Sequence, residues 1–153
     1  MKKFTQARKG FTLTEMVIAI LVIAILATIA FFAGSSMIAS ARESRVVGDF
    51  RSIEISAKQM LLENPEYAVT APTDVATALN DYVDDDMAFT ANDSAKKDPW
   101  GNAYKGTIAS ADGVCTLTVT SDGPDATASN EDDSKIVVKL ENGQVSAEVT
   151  THK

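Results

Sequence analysis

The chain has 153 residues, a net charge of −7 and an ordinary apolar fraction of 45%, which suits one domain or two small ones. The acidic balance argues against a nucleic-acid binder, which needs a basic face to displace counterions. A single cysteine, Cys115, excludes an intramolecular disulfide framework, and with a single histidine, His152, multi-cysteine zinc sites and histidine-based triads are poorly supported.

The apolar residues are unevenly spread. Residues 1–10 carry Lys2, Lys3, Arg8 and Lys9 and no acid. Residues 16–33 are apolar except for Thr28, close to the length that crosses a bilayer core as a helix. Basic residues before such a run place the N-terminus in the cytoplasm and the remainder outside. A cleaved secretory signal is the alternative, with Ala30, Ala33, Gly34 and Ser35 as small residues for a cleavage site. Against it, the run is longer than a usual signal core, and a carboxylate, Glu15, stands one residue before the run begins.

The helical pattern continues past the apolar run. Val46, Phe50, Ile53, Ala57, Met60 and Leu61 recur at three- and four-residue spacing, with charged residues on the other faces. No proline interrupts residues 11–63, and Pro65 stops the pattern. The spacing predicts one helix over 11–63, about 80 Å long at 1.5 Å per residue. Its second half should form one wall of a small core. Gly34 and Gly48 are its weak points. Thr73-Asp74 reads as a cap for a short helix whose face is Val75, Leu79 and Tyr82 or Val83. The acidic group Asp81 with Asp84–Asp86 reads as a solvated turn, and residues 90–99 as loop. Residues 104–108, 114–120, 135–140 and 144–150 are rich in β-branched residues with partial alternation. Asn142-Gly143 is a strong hairpin signal. The prediction is an α+β chain with a small antiparallel sheet on the second half of the long helix. Cys115, alternating with apolar neighbours in a strand, reads as a buried small residue.

The segment from Lys9 through Gly10, Phe11, Thr12, Leu13, Thr14 and Glu15 to Met16 resembles the class III signal of type IV prepilins and pseudopilins. The resemblance implies cleavage between Gly10 and Phe11 by a membrane-embedded peptidase, which also N-methylates Phe11. Thr14 and Met16 stand where larger aliphatics are common in that family, and Phe32 where many relatives have proline. The resemblance also implies the type IV pilin fold, with 1–10 as leader and 11–34 as the transmembrane and filament-core half of the helix. The globular domain would be 35–153, with helix to 63, an αβ-loop over 64–102 and the sheet over 103–150. Glu15 would pair with the new Phe11 amine of a neighbouring subunit, setting the axial register of a filament. Two charges in an apolar bundle are costly alone and far less so together.

Asp98-Pro99-Trp100-Gly101-Asn102-Ala103-Tyr104 resembles a turn motif of the major pseudopilins of type II secretion and their Gram-positive pilin relatives. Ala103 replaces the usual second proline. Trp100 and Tyr104 read as core anchors. The loop 121–134 resembles the calcium-binding loop of those major pseudopilins. By that resemblance Asp125, Asp132 and Asp133 are the carboxylate ligands of a Ca²⁺, with backbone carbonyls completing the 6–8 oxygens the ion takes. The alternative is a solvated acidic loop.

The resemblance implies a non-enzymatic subunit in the cytoplasmic membrane, polymerising with copies of itself into an extracytoplasmic or cell-surface filament. Its partners would be the prepilin peptidase/methyltransferase, an inner-membrane assembly platform, minor pilins and, before assembly, membrane lipid. Pilus, type II pseudopilus and DNA-uptake filament stay open. The rival reading is a tethered binding or enzymatic domain with the helix as anchor.

Overall fold

The structure, a computed structural model, describes residues 10–127 and 133–151. Helix α1 spans Leu13–Glu63, followed by a 3₁₀ turn at Pro65–Ala68 and the short helix α2 at Val75–Leu79. Six strands follow among the described residues: β1 Phe89–Thr90, β2 Asp93–Lys97, β3 Ala103–Ala111, β4 Val114–Ser121, β5 Ser134–Glu141 and β6 Gln144–Thr150. They form one antiparallel sheet in the order β1-β2-β3-β4-β5-β6. The result is an α+β architecture of type IV pilin kind.

The chain divides into two compact units between Ser40 and Ala41. In the first, α1 is apolar and long enough to cross a membrane, and its large side chains from Leu13 to Ile38 are exposed. The second unit contains all of the core buried among the described residues, so it has the means to fold alone. Val46, Phe50, Ile53, Ala57, Met60 and Leu61 line one stripe of α1 and meet Leu117, Val119, Ile136 and Val138, the inward positions of β4 and β5. Each such side chain larger than alanine contributes about 1.5–3 kcal/mol relative to exposure. The Phe50 and Tyr104 rings lie 5.8 Å apart between centroids. Val75 and Leu79 of α2 are buried, whereas Tyr82 and Val83 only edge the core. A Cβ at Gly106 would lie 2.8 Å from a Val75 methyl, so α2 is seated against β3 where that strand lacks a side chain.

The turn chemistry follows the sequence. Asp74 caps α2 by accepting the Thr77 N–H at 2.8 Å; this holds its carboxyl below the usual range. Asp112-Gly113 and Asn142-Gly143 both have two positive φ values, the type I′ geometry of tight hairpins. Two expectations need correction. Residues 93–97, read as loop, form β2, which pairs with β1 and β3. Its only buried side chain is Ser94, whose hydroxyl donates to the Lys96 carbonyl and accepts the Tyr104 N–H. A serine in place of an apolar residue erased the alternation. Trp100 is half-buried at the rim of the core, whereas Tyr104 is fully buried within it.

Candidate functional site

The N-terminal site is built by the first turn of α1. Gly10 and Phe11 precede the helix and are exposed, Phe11 at 83%. A Cβ added to Gly10 meets nothing within 4 Å, so nothing among the described residues demands glycine there. Thr12 stands at the N-cap. Its N–H and its hydroxyl both donate to Glu15 Oε2 at 2.8 Å, and Thr12 Oγ1 accepts the Glu15 N–H at 3.2 Å. This is a capping box: threonine and a glutamate three residues on satisfy each other's orphan donors. The sequence signal for this role is the Thr-x-x-Glu spacing itself, which depends on the reach of the carboxylate and not on its charge. Glu15 thus starts the helix and also presents a negative charge beside the Phe11 backbone. Beyond it, Thr28 donates to the Ala24 carbonyl at 2.9 Å, closing the run's one polar group onto the helix itself.

A second candidate region lies where the Asp98 turn meets the acidic loop. Asp98 is 3% exposed. Its Oδ1 accepts the N–H groups of Trp100 at 3.0 Å and Asn102 at 2.8 Å, and its Oδ2 accepts the Ser121 hydroxyl at 2.8 Å. Gly101 takes φ 99°, which a residue with a Cβ rarely adopts. Asn102 Nδ2 donates to the Gly123 carbonyl at 3.1 Å. The motif therefore anchors the start of the loop as well as shaping its own turn. Asp122, also buried, pairs with Lys105 and holds that ammonium above its usual range.

The calcium expectation falls partly outside the described residues, because Asp132 lies there. Asp125 is exposed, and its Oδ1 accepts the Thr127 N–H at 2.8 Å. Asp133 is half-buried just before β5. Among the described residues no three His, Cys, Asp or Glu side chains gather as a metal set, so these two carboxylates do not by themselves make a site for a 6–8-coordinate ion.

The remaining polar cluster is structural. Asp49 on α1 accepts the Tyr104 hydroxyl at 2.7 Å and lies 2.9 Å from Lys96 Nζ, which also faces Asp86 at 3.7 Å. Burial, then the Asp49 bond, pushes the Tyr104 phenol far up. Cys115 is buried and its thiol pushed up by desolvation, the state of a packing residue.

No curated protein and no solved structure matches the chain. The family described as the prokaryotic N-terminal methylation motif matches residues 5–31, the stretch that holds Gly10, Phe11, the capping box and most of the apolar run. The chain carries a prepilin-type N-terminal methylation motif, consistent with the type IV pilin family.

Proposed function

We propose that the protein is a structural subunit of a type IV pilus or a type II secretion-like pseudopilus. It is made as a single-pass membrane precursor with its N-terminus in the cytoplasm, cleaved after Gly10, N-methylated on Phe11 and polymerised into a helical filament. The observation that carries this reading is the methylation motif over residues 5–31 at the head of an exposed apolar helix. Gly48 adds support. It sits on the exposed face of α1 with Ala41, Ser44 and Ser52, and a Cβ there meets nothing. A helix glycine costs about 1 kcal/mol against alanine, and close approach of a neighbouring helix would repay that cost. The partners are the prepilin peptidase/methyltransferase, an assembly platform, minor pilins and other copies of the chain.

Gly10→Val tests the reading. Because Gly10 has open space around it in this chain, the substitution should leave folding intact while blocking a narrow peptidase site. Uncut precursor in the membrane and no filaments are expected. Normal maturation of this variant contradicts the assigned cleavage site.

A Ca²⁺ held by Asp125, Asp132 and Asp133 extends the proposal. The loop is pinned at its base, where Ser121 pairs with Ser134, and Asp122 is already engaged by Lys105. The unit from Ala41 onward should melt higher in Ca²⁺ than in chelator, by the equivalent of about 2.7 kcal/mol at a hundredfold excess over Kd. Asp125→Ala and Asp132→Ala should abolish the difference. Identical melting of the wild-type unit in both buffers makes the loop a solvated acidic turn.

A further inference from the structure

The two edges of the sheet differ. At one edge β1 has two residues, and β2 beside it carries a register irregularity together with Asp93, Lys96 and Lys97. Shortness, bulges and lysines all discourage another strand from adding. At the other edge β6 runs over Gln144–Thr150 in unbroken register with β5 and, among the described residues, with no strand beyond it. It has no proline and no lysine, and Glu148 is its one charge.

The hairpin fixes which backbone groups of β6 stay open. In a two-residue type I′ turn the closing pair, here Glu141 and Gln144, exchanges both of its hydrogen bonds. Alternation then turns the N–H and C=O groups of Gln144, Ser146, Glu148 and Thr150 toward β5. Those of Val145, Ala147 and Val149 point outward. These three residues also share the inward face of the sheet, where Val145 and Ala147 touch the core and Val149 is 37% exposed.

We propose that this edge pairs antiparallel with β6 of a second copy, about a two-fold axis at Ala147. Outward-pointing residues must meet outward-pointing residues, so the two-fold axis must pass through a residue position and not between two. The register on Ala147 has the longest overlap. It sets Val145 against the partner's Val149, covering the exposed valine, and Glu148 against the partner's Ser146, so like charges do not meet. The two-fold axis reverses the strand and everything packed on the sheet. Subunits aligned in one filament do not meet this way, so the contact joins subunits of opposite direction, as between filaments lying antiparallel. That last step rests on the filament reading; the pairing itself does not.

The test uses residues 41–153, which hold the whole core, in sedimentation velocity over a range of concentrations and in oxidative crosslinking. A hydrogen-bonded antiparallel pair has its Cα atoms about 5.5 Å apart, within disulfide range. Wild type should dimerise as concentration rises, and Ala147→Cys should crosslink. Ser146→Cys, facing Glu148 and not itself, should crosslink roughly tenfold more slowly, because its Cα lies farther from its own copy. Ala147→Pro removes an outward N–H and spares the β5 ladder, so it should be monomeric. Should that variant not fold, Val149→Lys gives the same reading by placing a charge at the contact. A wild-type monomer at every concentration, a dimer that survives both blocking variants, or equal crosslinking at 146 and 147 overturns the proposal.

Discussion

Helix capping and the proposed amine pairing at Glu15 can be separated by a single substitution. The Glu15 carboxylate closes the capping box with Thr12, and under the proposed processing its charge would face the amine created at Phe11. Glutamine preserves the cap, because its carbonyl oxygen accepts as the carboxylate does, and it removes the charge. Glu15→Ala removes both. If the amine pairing sets the filament register, Glu15→Gln and Glu15→Ala should both be cleaved and membrane-resident yet polymerise poorly. Filament yield from the two variants measures this; normal yield from the glutamine variant assigns Glu15 to helix capping alone. Gly10 is legible in the sequence for a related reason. No described neighbour crowds it, so its proposed role rests on the neighbouring residue types in the sequence.

At the scale of elements, the contact between α1 and the sheet is both apolar and polar. Tyr104 packs on Phe50 and donates to Asp49, so one residue of β3 joins two of α1. Tyr104→Phe keeps the ring and leaves Asp49 with Lys96. A hydrogen bond to a charged group is worth about 1.5–3 kcal/mol, and urea unfolding of residues 41–153 should show a loss of that size. The phenol is also raised in the folded state. Its contribution is complete below the unfolded tyrosine value near 10 and is lost as pH rises above it, because the unfolded chain ionises first. The variant should therefore lose stability less steeply than wild type in that alkaline window. The helix and the four longer strands were legible because their apolar residues follow periods of 3.6 and 2. β2 was not, since its place is set by the Ser94 hydroxyl and by pairing with β3. The role of Asp98 was hidden for the same reason. Its partner Ser121 lies 23 residues away, and no local pattern reports such a bond.

At the scale of the whole molecule, the two units divide the work by solvent. The first presents apolar side chains along α1 from Leu13 to Ile38, suited to lipid or to other helices. The second buries its apolar stripe from Val46 to Leu61 under a sheet and is acidic at its turns. Cleavage after Gly10, as proposed, would take away Lys2, Lys3, Arg8 and Lys9, so −7 less four cations would leave −11 for residues 11–153. Under the proposed processing, cleavage would remove this basic segment and free an amine beside Glu15 in one step. The intact mass of the protein recovered from its native membrane or filament fraction tests this account most directly. The account predicts a chain beginning at Phe11 and heavier than the bare sequence by one methyl group, located on the N-terminal amine. A chain that keeps residues 1–10, or one that begins near Gly34 as a secretory signal would leave it, contradicts it.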